Sequence, residues 1–332
     1  MVLLEIRDLY VDFRTVDGLA KVIEDVSFDV KEGESLALVG ESGCGKTTII
    51  KAILKILPDY AIVKGSIRFR GIDLLKLKEE EFYKIKGKEF SYIPQEPLTA
   101  LSPLYTIADH FIDLFVSSGR RKIGWFEYGS LRKKMASEIL EKAAEYLRIV
   151  KIPDPDRVLN SYTIQLSGGM LQRCLIAMAI AKNPSLILAD EPTTALDVIT
   201  QKEILGLMRD LKERLRTTLI YITHNLGVAR EIAERIIVMY AGRIVEIASS
   251  EDVLLNPLHP YTRGLIESIP KLTGGELKGI EGGVINYYDP PKGCRFHPRC
   301  PFAKEPCRKE APKLVKVDHE HLVACHIIGE RT

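Results

Sequence analysis

Apolar and polar positions change rhythm along the chain, and each rhythm predicts an element. Leu3 to Phe13 and Val22 to Val30 alternate and are rich in β-branched and aromatic residues, which predicts two strands joined across the Asp17-Gly18 turn signal. Ser35 to Val39 (SLALV) is a short continuous apolar run, the pattern of a buried parallel strand. Thr48 to Leu57 has apolar residues at helical spacing and stops before Pro58, which predicts a helix. Gly65 to Arg70 reads as a strand with a turn at Gly71-Ile72-Asp73, and Phe90 to Pro94 as a strand ended by proline. From about Thr106 to Leu159 the pattern turns helical and polar, with an amphipathic face over Ala136 to Ile149. That block interrupts the strand–helix alternation and predicts an inserted helical subdomain. Its basic pieces, Arg120-Arg121-Lys122 and Arg132-Lys133-Lys134, read as solvated faces. Gly168 opens a helix to about Lys182, ended by Asn183-Pro184. Leu186 to Asp190 and Leu219 to Thr223 are buried strands, and Arg235 to Val245 is a hairpin turning at Ala241-Gly242.

The candidate chemistry starts between the SLALV strand and the first helix. Gly40-Glu41-Ser42-Gly43-Cys44-Gly45-Lys46-Thr47-Thr48 reads G-x-x-x-x-G-K-T, a phosphate-binding loop. Gly43 and Gly45 let the backbone curl so that its N–H groups converge, and the helix start adds partial positive charge. Lys46 can reach the outer phosphates, and the Thr47 hydroxyl can ligate Mg²⁺. The bland alternative is a glycine turn before an ordinary helix; a strand and a helix on the correct sides argue against it. Phe13 ends the first strand on the approach to this loop, where its ring could stack on adenine or simply fill a core.

Strand ends supply the remaining candidates, since ligands bind there in open α/β sheets. Gln95 follows the FSYIP strand directly. Asp190 ends the LILAD strand, where a carboxylate can hold Mg²⁺, and Glu191 beside it could polarise an attacking water. His224 stands at the end of the Leu219–Thr223 strand, where it can donate to a γ-phosphate. Ser167, Gly168 and Gly169 form a second helix start fit for an anion, although alone it reads as a glycine-opened helix.

Composition narrows the partners. A chain of 332 residues is long for one domain and short for three. Its 47 basic and 45 acidic residues leave no overall electrostatic footprint for nucleic acid. No apolar run is long enough to span a bilayer, and the start lacks the basic region and cleavage site of a signal peptide, so a cytosolic location is expected.

Taken together, the phosphate loop, Gln95, Leu166-Ser167-Gly168-Gly169-Met170, Leu186 to Asp197 (LILADEPTTALD) and His224 resemble an ABC transporter ATPase subunit, over about Leu3 to Ser250. The resemblance implies a RecA-like mixed α/β core with an antiparallel β subdomain (residues 1–250), an inserted helical subdomain (about 96–182) and a C-terminal extension (251–332). It implies two ATPase domains head to tail with two ATP molecules between them. Gly40 to Thr48 would hold one ATP in cis. Ser167 to Met170 would close over the partner's ATP, and Asp197 would face the partner. Glu191 would be the general base, His224 the γ-phosphate switch, and Gln95 a sensor of Mg²⁺ and of the membrane subunit.

Within that family, Gln95 to Pro103 (QEPLTALSP), Leu166 to Ile180 and Asn256 to Leu265 (NPLHPYTRGL) resemble the oligopeptide/dipeptide importer branch. Met170 in place of the commoner Gln implies a heterodimer with a non-identical ATPase. Two permeases and a solute-binding protein would complete the importer, with this subunit at the cytoplasmic face of the membrane. Thr163-Ile164 departs from the branch's usual Pro-His before the signature, a loop that faces the membrane subunit. The cargo expected is peptides, or similar solutes such as oligosaccharides. The rival is a soluble ABC-type ATPase of DNA repair or translation. The short span from Gln95 to Ser167, without sustained heptads, and the one ATPase core per chain weigh against it.

Four of the six cysteines, Cys294, Cys300, Cys307 and Cys325, crowd the end of the chain at gaps that match no common zinc or ferredoxin spacing. Spacing alone says soft metal site or redox pair; the resemblance implies a [4Fe–4S] cluster on these thiolates. Zinc is the runner-up, with His297, His319, His321 and His326 as spare ligands. Cys44 and Cys174 read as buried or loop thiols without a metal role.

Overall fold

The computed structural model describes residues 1–118, 122–194, 196–268, 279–283, 285–318 and 320–329. The chain forms two compact units, Met1–Leu75 with Tyr221–Thr332, and Lys76–Ile220.

The first unit opens with two long strands, β1 (Val2–Thr15) and β2 (Gly18–Lys31), paired antiparallel. Both outrun their alternating stretches, because the turn at Val16 and Asp17 brings every flanking residue into the ladder. Phe13 therefore sits within β1, opposite Ala20 and Ala61, and does not end the strand. The buried β3 (Ser35–Val39) leads into the glycine loop and α1 (Lys46–Ile53). This helix stops short of the expected Leu57. Lys55 adopts φ 48°, its N–H bonds the Ala52 carbonyl, and the Ile56 N–H bonds the Lys51 carbonyl. That is a Schellman ending with lysine at the left-handed position; Ile56 is left half exposed, and the apolar pattern overran the helix. Strands β4 (Ala61–Phe69) and β5 (Ile72–Asp73) complete an antiparallel sheet of order β2-β1-β4-β5.

The second unit runs through α2 (Glu79–Glu89), β6 (Phe90–Ile93), α3 (Pro97–Ala100), α4 (Ile107–Val116), α5 (Trp125–Ile149), α6 (Pro155–Leu159), α7 (Gly168–Ile180), β7 (Leu186–Asp190) and α8 (Val198–Leu215). The amphipathic Ala136–Ile149 stretch is the second half of α5, burying Ile139, Ala143, Ala144 and Leu147 against its neighbours. Arg132 is not a plain solvated residue: it is half-buried and ties α5 to Asp109 of α4 and to the Tyr128 hydroxyl. Lys122, Lys133 and Lys134 are exposed, and Arg120 and Arg121 lie outside the described residues. Strands β6 and β7 pair in parallel, so Pro94 and Asp190 stand at one edge. The units divide within β8 (Thr218–Thr223), which neighbours β7.

The chain then continues in the first unit with α9 (Leu226–Ile232) and the hairpin β9 (Arg235–Tyr240) and β10 (Arg243–Ser249). Ala241 and Gly242 turn it at φ 48° and 81°, a primed turn that matches strand twist. After α10 (Ser250–Leu255), α11 (Pro260–Glu267) and α12 (Glu305–Lys309), strands β11 (Val315–Asp318) and β12 (His321–Val323) extend the order to β11-β12-β10-β9-β3, with β3 and β9 parallel. A last short helix, α13, spans His326–Gly329. No helix among the described residues is long and apolar enough to cross a membrane.

One buried charge ties the C-terminal residues to this sheet. Glu246 on β10 is fully buried and accepts hydrogen bonds from the Leu258 and His259 N–H groups (2.8 and 2.9 Å) and from His321 Nε2 (2.7 Å). Burial alone would raise its carboxyl pKa, but these donors outweigh burial and hold it below the ordinary value. His259 is itself buried, and its Nδ1 caps α11 by accepting from the Tyr261 N–H (3.0 Å). Burial pushes the His259 ring down to about 4.

A histidine held neutral in the fold and free to protonate when unfolded costs stability as pH falls. The loss starts near the unfolded value of about 6.5 and is complete below about 4. Acidification from pH 7 to 5 should remove about 2 kcal/mol through this residue. Denaturant titrations of the parent and His259→Gln at both pH values check this: the variant should be less stable at pH 7 and lose correspondingly less on acidification.

Candidate functional site

The glycine loop is shaped by how closely other backbones approach it. A Cβ on Gly40 would stand 2.2 Å from the Met239 carbonyl oxygen, and one on Gly242 would stand 1.8 Å from the Val22 carbonyl oxygen. The Gly242 N–H bonds the Cys44 carbonyl (2.9 Å) and the Gly242 carbonyl accepts from the Glu24 N–H (3.0 Å). Gly43 and Gly45 take φ 80° and 100°, which glycine alone adopts readily. The helix-capping Gly45 contributes no side chain, which leaves the first N–H groups of α1 without a side-chain cap.

Lys46, the first residue of α1, is buried, and its ammonium donates to the carbonyls of Gly40 (2.7 Å) and Glu41 (2.9 Å). The loop is thus curled around its own cation. Cys44 is buried beneath it, and burial pushes its thiol up. Ser42 and Gly43 are exposed at the rim, Thr47 and Thr48 half-buried on the first turn. Phe13 is half-buried, its ring 6.0 Å from that of Tyr60, an exposed aromatic that the sequence reading missed. His224 follows β8 directly and is exposed; Asn225 beside it caps α9 through the N–H groups of Gly227 and Val228.

In the second unit the acids stand at the end of β7. Asp190 is buried, and Tyr92 on the neighbouring β6 donates to its Oδ2 at 3.3 Å. Burial, then the Asp190 charge, raises the Tyr92 hydroxyl's pKa, so Tyr92 stays a donor. Nothing in the sequence around FSYIP singled Tyr92 out; only strand register pairs it with Leu188 and so with the acid two residues on. Glu191 adopts φ 44°, a left-handed conformation costly for a residue with a Cβ. Thr194 fixes it there, donating through Oγ1 to Glu191 Oε2 (3.0 Å) and through N–H to the Glu191 carbonyl (3.2 Å). Gln95 is exposed in the bend after β6.

Ser167 caps α7 by accepting from the Met170 N–H (3.3 Å), and Ser167 and Gly168 are exposed. A Cβ on Gly169 would meet Thr200 at 2.9 Å. Asp197 caps α8: Oδ1 accepts from the Ile199 and Thr200 N–H groups (3.1 and 3.0 Å) and Oδ2 from the Thr200 hydroxyl (2.7 Å). The Thr200 N–H and hydroxyl bonds lead in holding its carboxyl below the usual range. Thr163 is buried, whereas Ile164 is exposed beside exposed Tyr162.

The four late cysteines lie within electrostatic reach of one another but are not arranged as a metal site. Burial raises the thiol pKa of Cys294 (up to about 11), Cys300 and Cys325, and the charges of neighbouring cysteines raise them further. The Cys294 N–H bonds the Cys307 carbonyl at 2.9 Å. Among the described residues no group of three or more His, Cys, Asp or Glu side chains could, as arranged, hold a metal ion. Of the spare histidines, His321 is engaged by Glu246, His297 Nδ1 lies 2.9 Å from the Cys294 carbonyl and His326 Nε2 lies 2.9 Å from that of Glu310; His319 lies outside the described residues. Cys174 is buried in α7, its thiol pushed up to about 12 by burial.

The family model described as "ABC transporter" matches residues 23–194, and "Oligopeptide/dipeptide transporter, C-terminal region" matches residues 245–307. The chain is 43% identical over 332 residues to the dipeptide transport ATP-binding protein DppD of Caldanaerobacter subterraneus, covering 99% of this chain and 98% of that protein. It is 40% identical over 326 residues to the oligopeptide transport ATP-binding protein OppD of Bacillus subtilis, covering 97% and 87%. Among solved structures it is similar to a dimeric bacterial ABC transporter cassette, with TM-score 0.61 and 28% identity, covering 75% of this chain and 99% of that one. A post-hydrolysis dimer of that cassette bound to ADP and phosphate gives TM-score 0.60.

The backbone contact at Gly40 yields a direct test. Gly40→Ala should cost on the order of 2 kcal/mol or more, because a Cβ there overlaps a carbonyl oxygen that has no room to yield. Thermal melts check the stability, and nucleotide titration should show the loop's affinity falling with it.

Proposed function

The chain belongs to the ABC transporter family, in its oligopeptide/dipeptide branch, and from that premise we propose that it is the ATP-binding, ATP-hydrolysing subunit that powers import of such solutes. It works at the cytoplasmic face of the membrane, with permease and substrate-binding partners. The observation that carries the reading is the curled loop around Lys46, whose backbone approaches exclude side chains and leave a bed for phosphate oxygens.

In this reading Gly40 to Thr48 takes the triphosphate. Lys46 exchanges its two loop carbonyls for phosphate oxygens and stabilises charge on the transferring group. Thr47, Gln95 and Asp190 are the residues that would hold Mg²⁺, which neutralises charge on the β- and γ-oxygens when bound. Glu191 orients or deprotonates the attacking water; its left-handed backbone and the Thr194 bond support a fixed carboxylate. His224 donates to the γ-phosphate, and Phe13 stacks on adenine, with Tyr60 as its neighbour. The corner at Ser167, Gly168, Gly169 and Met170, exposed at Ser167 and Gly168, closes over the nucleotide of a second ATPase, and Asp197 faces that partner. That second ATPase is non-identical, as Met170 in the signature suggests. Residues 1–250 are the ATPase domain, with 96–182 inserted, and 251–332 the extension.

Gln95 passes the motion of closure to the permeases. Exposed Leu98, Leu104, Tyr105, Tyr162 and Ile164 in the same unit support an apolar coupling surface; a β-bridge between Thr106 and Tyr162 places the last four on adjoining segments. The rival role in DNA repair or translation loses its footing, since the matched C-terminal region is that of a transporter.

The cysteines are the finer part of the reading. We assign Cys294, Cys300, Cys307 and Cys325 to a soft-metal site, a [4Fe–4S] cluster ahead of zinc. The support is the resemblance together with the chemistry of the donor set, four thiols whose thiolates suit a soft metal. The cluster would staple the turn-rich segment around them.

Two measurements test these assignments. Glu191→Gln should retain ATP binding and lose turnover by roughly 10²–10⁴-fold, the usual worth of a general base; near-parental turnover removes Glu191 from the role. Protein purified anaerobically should be brown and carry iron; a colourless preparation with stoichiometric zinc, or with no metal, overturns the cluster.

A further inference from the structure

The phosphate loop is also held from outside by residues far along the chain. Glu41, the loop's second residue, is gripped by Arg299 through a two-pronged ion pair: Nη1 to Oε2 at 2.8 Å and Nη2 to Oε1 at 3.0 Å. Arg299 is itself nearly buried and locked in place. Its Nε donates to the Glu281 carbonyl (2.8 Å), its Nη2 to the Ile280 carbonyl (2.9 Å), and its guanidinium lies 5.7 Å over the Tyr240 ring. Two tyrosines reach the same loop. The Glu41 N–H donates to the hydroxyl of buried Tyr261 (2.9 Å), and the Tyr287 hydroxyl donates to the Gly43 carbonyl (2.8 Å). Tyr240, Tyr261 and Phe296 pack edge to face behind them, with ring centroids 4.7–5.4 Å apart.

We propose that Arg299, Tyr261 and Tyr287 are positioning residues for nucleotide binding, and that the main task of Arg299 is to cancel the Glu41 charge. The inference rests on reading Gly40 to Thr48 as the triphosphate site. A carboxylate two residues before Gly43 would repel a triphosphate arriving at the same loop. Lys46 cannot neutralise it, because the ammonium faces the Gly40 and Glu41 carbonyls. The guanidinium fork can, because its planar geometry engages both carboxylate oxygens at once. Tyr261 and Tyr287 then fix the backbone at Glu41 and Gly43, on both sides of Ser42. The C-terminal extension is thereby part of the nucleotide site, although none of these three side chains need touch the nucleotide.

The test is binding of a fluorescent ATP analogue with Mg²⁺ to the purified full chain, with far-UV circular dichroism and melting as checks on folding. Arg299→Ala should weaken binding roughly tenfold, within the ordinary range of coupling between two sites. Adding Glu41→Gln to that variant should recover most of the loss, since the unopposed charge is gone. A purely structural role for Arg299 predicts the reverse, a further loss. Tyr287→Phe should weaken binding roughly threefold, the worth of one neutral hydrogen bond. Parental affinity in Arg299→Ala, or no recovery in the double variant, overturns the proposal. Should Arg299→Ala fail to fold, Arg299→Gln and Tyr287→Phe decide it, and parental affinity in both overturns it. If the parent itself takes up no nucleotide, the reading of the loop fails instead.

Discussion

Three stretches of backbone meet around the glycine loop with no space for side chains between them. Gly40 lies against the carbonyl of Met239, and Gly242 lies against the carbonyl of Val22 while exchanging hydrogen bonds with Cys44 and Glu24. Everything else at this end of the first unit follows from that approach. It sets where α1 begins and which way Lys46 points. It fixes how β2 and the β9–β10 turn must run to stay in contact with the loop. Arg295 then seals the rim: buried, it donates to the Ala241 and Lys21 carbonyls and shares Glu24 with Arg243. Burial pushes the Glu24 carboxyl up, but the two guanidiniums beside it outweigh burial and hold it below its ordinary value.

The local chemistry of this fold was legible because it depends on neighbours in sequence. The G-x-x-x-x-G-K-T motif from Gly40 to Thr48, the continuous apolar LILAD run, the glycine turn at Ala241-Gly242 and the cap at Ser167 are each written in residues a few positions apart. The errors at element ends have the same origin. The apolar pattern carried the first helix to Leu57, although a left-handed Lys55 ends it sooner, and Phe13 proved to lie inside its strand.

What stayed hidden are pairings between distant segments. Glu41 and Arg299 are 258 residues apart, and each looked unremarkable alone, one as an arbitrary loop position and the other as a basic residue before a cysteine. Tyr92 finds Asp190 only through the register of two parallel strands. Arg132, read as a solvated charge, is recruited by Asp109 of the preceding helix. The motif Asn256 to Leu265 signalled a resemblance but gave no reason for its histidine. The reason lies in the sheet, where the buried Glu246 carboxylate collects the Leu258 and His259 amides.

That carboxylate also binds the fate of the C-terminal residues to that of the sheet. β12 pairs with β10 across Glu246 and Val323, and Leu258, His259 and His321 supply the carboxylate's donors. A chain cut after β10 would at once uncover a sheet edge and strip a buried acid of its partners. Trimming the tail and weakening the sheet are therefore one operation, not two.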